Sequence, residues 1–100
     1  MYRSKGMDEF YQEDYRQGAT IIDVREVDEF TQGHIPSAKN VPLSELPESF
    51  SKLEKQTDYH VICHSGGRSA MACEFLAQKG YNVVNVMGGM SSWKGEIINE

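Results

Sequence analysis

This chain is poor in cysteine and proline and has no long apolar run. Only two of its 100 residues are cysteine, Cys63 and Cys73, and three are proline. Two cysteines cannot build the disulfide framework of a small secreted domain. Their spacing fits neither a zinc pattern nor a CxxC redox pair, and no ligand set for a metal or organic cofactor is legible. The expectation is two reduced thiols in a cytoplasmic protein. The longest uninterrupted apolar stretch is Ala70 to Cys73. A membrane span needs about 20 such residues and a signal-peptide core about 7. No Asn-x-Ser/Thr sequon occurs. Positive charge is also scarce, with 10 Lys plus Arg against 15 Asp plus Glu, a formal charge of −5. That disfavours a phosphate-backbone binder, which needs a basic face. Any anion site must be built locally and not by the field of the whole protein.

What remains is an ordinary globular mixture, 39% hydrophobic and 25% charged, sufficient for one core. A single domain over residues 1–100 is expected, with 1–6 a flexible or edge segment. There is no repeat, linker or low-complexity stretch. The spacing predicts a helix over Met7–Gln17, with Phe10, Tyr11 and Tyr15 inward and Gly18 as its stop. Thr20–Val24 reads as a β-branched strand. Glu26–Gln32 reads as a short helix closed by Gly33 in a left-handed cap. Asn40–Leu43 is extended, because Pro42 biases Val41 away from helix. Ser44 caps a helical piece to about Lys55, with Pro47 in its first turn. Tyr59–Cys63 and Val83–Val86 read as buried strands. Between them lies a helix, Arg68–Lys79, ended by Gly80. Gly88-Gly89 then leads into a helical turn at Met90–Trp93. Alternating helices and nearly continuous apolar strands indicate an α/β fold with a mainly parallel sheet covered on both faces. Sites in such folds lie at the carboxyl ends of the strands.

The segment Val61-Ile62-Cys63-His64-Ser65-Gly66-Gly67-Arg68-Ser69 carries the chemistry. A strand ends on a cysteine, a glycine-bearing loop follows, and a helix begins. Gly66 and Gly67 permit the N–H groups of Ser65 to Arg68 to turn inward. The helix directs the positive end of its dipole to the same place. Arg68 adds a fixed positive charge. All three favour thiolate, and such surroundings lower a cysteine pKa from about 8.5 to roughly 3.5–7.5. His64 leaves the chain on a different side from Cys63 and reads as a loop or substrate-facing residue. Ser65 and Ser69 have two open roles, hydrogen bonds to a bound anion or helix capping.

The pattern Cys63-x-x-Gly66-x-Arg68 resembles the active-site loop of rhodanese domains. Asp23-Val24-Arg25-Glu26, Glu29-Phe30 and Gly33-His34-Ile35-Pro36 with Ala38 resemble the first signature of that family. Gly88-Gly89-Met90, Trp93 and Gly95 resemble its C-terminal one. Ser37 departs from the pattern, which has glycine there. The resemblance implies a rhodanese-like three-layer sandwich around a five-stranded sheet, and a sulfurtransferase that works without a cofactor. Cys63 is then the persulfide-forming nucleophile, and His64 to Ser69 hold the transferred sulfur and the anion. The implied donor is thiosulfate or a persulfide. The acceptor is a thiol or cyanide, or a sulfur-relay protein. A monomer with no nucleic-acid or membrane partner is expected. The competing reading is a non-catalytic rhodanese-like regulatory or interaction module, which has no chemical need for the intact thiol and loop. Cysteine phosphatases have five residues between cysteine and arginine; here there are four, a smaller cradle suited to a sulfane sulfur.

Outside the loop, Asp23 and Arg25 are expected to form a structural polar network and Trp93 to pack over the core. Cys73 belongs to an apolar stripe with Ala72 and Leu76. His34 is read as bonded to backbone in a turn, and His60, on a strand face with no partner in view, as a satisfied structural or exposed histidine.

Overall fold

A computed structural model describes residues 2–99. Five strands form one sheet in the order β1-β5-β4-β2-β3, and every pairing is parallel. They are β1 (Arg3–Gly6), β2 (Thr20–Asp23), β3 (Lys39–Asn40), β4 (Asp58–Ile62) and β5 (Asn82–Met87). The helices are α1 (Met7–Glu13), α2 (Val27–Thr31), α3 (Leu46–Ser49) and α4 (Gly67–Gln78). The α/β sandwich expected from the sequence is the architecture found.

The core divides at the sheet. On one face, Ile22, Val24, Val61 and Val83 pack with Leu46 of α3 and with Ala72, Cys73 and Leu76 of α4. On the other, Ile21, Ile62 and Val86 pack with Met7 and Phe10 of α1 and with Trp93. Successive strand side chains point to opposite faces, so a strand covered on both sides is apolar throughout. That is why β2, β4 and β5 read as nearly continuous apolar runs.

The exceptions have local causes. Residues 3–6 of the N-terminal segment form an edge strand; residue 1 lies outside the described residues. β1 joins β5 by backbone pairing, and Arg3 and Ser4 stay exposed, so no apolar pattern marks it. The helix expected over Met7–Gln17 ends at Glu13. A separate turn of 3₁₀ helix follows at Tyr15–Gln17, and Gly18 closes it at φ 84°. Gly33 is not a left-handed cap: α2 ends at Gln32, with φ −79°, and Gly33 has φ 158°. The helix expected from Ser44 to Lys55 is three short turns, Leu43–Glu45, Leu46–Ser49 and Phe50–Lys52. Pro47 has no N–H to continue a helical ladder. Ser44 caps nothing; its hydroxyl donates to Glu26 Oε1 at 2.6 Å.

Candidate active site

Cys63 stands one residue beyond β4, with β2 and β5 on either side of that strand. It is 1% exposed, yet its sulfur is surrounded by donors. The Gly66 amide lies 3.0 Å from Sγ and the Ser69 amide 3.3 Å, and the thiol itself donates to the Ser69 hydroxyl oxygen at 3.4 Å, a contact the hydroxyl can reverse when the sulfur is ionised. The Ser65 amide is directed at it as well. Burial opposes ionisation of the thiol. The Ser69 hydroxyl and the amides of Ser69, Gly66 and Ser65 outweigh it, and the pKa lies below the ordinary thiol value. Donors to the charged form are the physical cause. The inward amides expected from Ser65 to Arg68 are found at Ser65 and Gly66 and recur at Ser69. Those of Gly67 and Arg68 have no acceptor among the described residues. They belong to the open first turn of α4.

The loop conformation depends on glycine at two places. Gly66 precedes α4 with φ 120°, a value that L side chains rarely adopt. Gly89, with φ 52°, lies against the loop from the far side of the site. A Cβ there would collide with the carbonyl oxygens of Cys63 and His64. The Gly88-Gly89 turn thus brings two amides against the loop. Met90 N–H donates to Cys63 O and Ser91 N–H to His64 O, each at 2.8 Å.

Arg68 brings its positive charge near Cys63 but has a partner that the sequence did not show. Its two terminal nitrogens are bound by Glu29 of α2, Nη1 to Oε1 at 2.7 Å and Nη2 to Oε2 at 3.0 Å. Glu29 also accepts the Glu26 amide at 3.0 Å in a capping box. The Arg68 hydrogen bond is the main reason that the Glu29 pKa falls to about 2. The guanidinium is therefore occupied by a carboxylate, and although its charge still acts on Cys63, the hydroxyl and the amides around the sulfur are the larger cause of ionisation. His64 is exposed. It opens onto a depression shared with Arg25, Glu29, Gln32, Met90 and Ile97.

The chain matches the rhodanese-like domain family over residues 7–96. The chain belongs to that family. A rhodanese-related protein from Thermoplasma volcanium, solved by crystallography, superposes with a TM-score of 0.90 at 41% identity, covering 99% of this chain and 100% of that one. A protein of Allochromatium vinosum named a sulfurtransferase is 39% identical over 74 residues, 73% of this chain and 69% of its own. The Bacillus subtilis protein YtwF is 43% identical over 76 residues, 76% of this chain and 74% of its own.

In this rhodanese-like domain the remaining residues fall as follows. Asp23 is fully buried and Arg25 is 7% exposed. Arg25 Nε and Nη2 grip the Asp23 carboxylate at 2.8–3.1 Å, and Nη2 also reaches Gly33 O. Asn40 Nδ2 donates to the carbonyls of both Asp23 and Arg25. This network joins the end of β2 to β3 and to the turn after α2. Trp93 packs edge-on against Tyr11 and Tyr15, and its Nε1 donates to Glu96 O. His34 Nδ1 lies 2.8 Å from Phe30 O, as the turn reading expects.

His60 corrects its reading. It is 8% exposed, its Nε2 lies 3.7 Å from Asp14 Oδ2, and its Nδ1 has no partner. Cys73 is buried, and burial first, then the nearby Cys63, pushes its pKa up to about 12.

The sequence reading missed Asn85. It lies on β5, 5% exposed, and the Ser69 hydroxyl donates to its Oδ1 at 2.5 Å. The signal was an amide set between Val84 and Val86 in the interior of the strand, since buried polar groups need partners.

Proposed function

We propose that this chain is a sulfurtransferase that works through a persulfide on Cys63. The observation that carries the proposal is the set of donors around Cys63 Sγ. A thiolate is both the attacking and the leaving species in sulfur exchange. In the first step the Cys63 thiolate attacks the outer sulfur of thiosulfate or of a persulfide. A new S–S bond forms, the donor S–S bond breaks, and sulfite or a thiolate leaves with the electron pair. The outer sulfur then lies within the loop, where the free amides of Gly67 and Arg68 stabilise its charge. In the second step a thiol or cyanide attacks that sulfur. It leaves as a new persulfide or as thiocyanate, and the Cys63 thiolate is restored.

The test uses thiosulfate followed by intact-mass measurement and peptide mapping. One added sulfur on Cys63, discharged by cyanide with release of thiocyanate, is the expected outcome. An unmodified protein that releases no thiocyanate would favour the interaction-module reading. A second measurement addresses the sulfur itself. Iodoacetamide at mildly acidic pH is expected to alkylate Cys63 readily and leave Cys73 untouched, because a thiol with a pKa of about 12 has almost no thiolate there. Equal labelling of the two cysteines would contradict the cradle.

A further inference from the structure

We propose that Glu29 determines which donor the site accepts, by occupying the Arg68 guanidinium and so favouring persulfides over thiosulfate. The inference rests on the sulfur-transfer reading and adds the donor class to it. The two donors place charge differently. Thiosulfate transfers its outer sulfur away from a sulfonate, so two negative charges sit beside the breaking bond. An alkyl persulfide carries at most one charge, on the sulfur to be moved, and its leaving sulfur is attached to carbon. Both reactions balance: the Cys63 thiolate takes the outer sulfur, and sulfite dianion or an alkyl thiolate departs with the electron pair. Only the first needs cations beyond the loop amides.

Among the described residues, the mouth of the site offers no unpaired guanidinium. Both terminal nitrogens of Arg68 are bound to Glu29. Arg25 is bound to Asp23 and to Gly33 O and is nearly buried. A sulfonate could engage Arg68 only by displacing a carboxylate that the Glu26 amide also holds. Glu29 lines the depression outside the loop, so its charge faces an arriving dianion as well. A carboxylate beside an anion-binding position repels the anion and neutralises the nearest cation at once.

The test compares rates of Cys63 persulfidation by thiosulfate and by 2-hydroxyethyl persulfide, read by intact mass under single-turnover conditions. Wild type is expected to load from the persulfide at least about ten-fold faster. Glu29→Gln is expected to raise the thiosulfate-to-persulfide rate ratio about ten-fold, through a lower half-saturating thiosulfate concentration. Adding Arg68→Gln to Glu29→Gln should erase the gain, which general loosening of α2 would not do. Because Glu29 also caps α2, a donor-concentration series on wild type decides the matter if Glu29→Gln does not fold. Thiosulfate loading that comes within about three-fold of the persulfide rate, or an unchanged ratio in folded Glu29→Gln, overturns the role of Glu29 while sulfur transfer stands. If neither donor loads wild type, both readings fall together.

Discussion

Cys63 shows how a buried group can be made reactive. With burial alone its thiol would stay protonated, as Cys73 does in the same apolar cluster. The difference is the Ser69 hydroxyl and the three amides that reach one sulfur and not the other. Ser69→Ala removes the side-chain donor and keeps its amide. It is expected to raise the Cys63 pKa. Alkylation at a pH below that value should slow about ten-fold, and a titration of thiolate absorbance should move the same way. The hydroxyl has one proton and three acceptors within reach, Cys63 Sγ, Gly66 O and Asn85 Oδ1. It can donate to the sulfur only when it is not donating to the other two. Much of this was legible in the sequence. A strand ending on cysteine before two glycines places amides around the sulfur for local reasons. The partner of Arg68 was not legible, because Glu29 lies 39 positions away in the chain and only tertiary packing brings α2 beside the loop.

The elements divide along the same line. Strands buried on both faces announce themselves by composition, and α4 announces itself by its apolar stripe. β1 and the segment 43–52 do not. The first is held by backbone hydrogen bonds that leave no mark on side-chain pattern. The second is a chain of single turns in which local propensity suggests one helix and packing of Leu46 and Leu53 against the sheet supports several. The Gly88-Gly89 turn is the element on which the loop depends most directly. Gly89→Ala combines a left-handed backbone with a collision against two loop carbonyls. A non-glycine residue in that conformation costs roughly 1–2 kcal/mol, and the displaced carbonyls add to it. The expected result is a lower melting temperature and a Cys63 that alkylates more slowly, since the Met90 and Ser91 amides no longer hold the loop. Unchanged alkylation in the folded variant would show that the loop holds its shape unaided.

For the molecule as a whole, the parallel sheet gathers the carboxyl ends of β2, β4 and β5 at one edge. The Asp23–Arg25 network, the Cys63 loop and the glycine turn meet there. The opposite face of the sheet holds the main pH liability, His60. Burial keeps its pKa below the ordinary histidine value, and the charge of Asp14 only partly offsets this. The unfolded chain therefore takes up the proton first. The stability contributed by neutral His60 is complete above about pH 6.5 and is lost as the pH falls through the lower folded value. Melting temperatures measured from pH 7.5 to 5.5 are expected to decline, and His60→Gln should flatten that decline. An unaltered slope in the variant would place the sensitivity elsewhere.

The antiparallel bridge between His34 and Ile98 leads the last described residues back across the end of α2, and Ile97 lies at the mouth of the site. The chain at that bridge therefore runs beside the mouth of the site, whereas β1 enters the sheet from the opposite rim. A bulky label carried on Ile97 would stand in the path of incoming donors. The same label on the exposed Arg3 or Ser4 of β1 would leave that approach open, which makes this sheet edge the place to immobilise or label the protein.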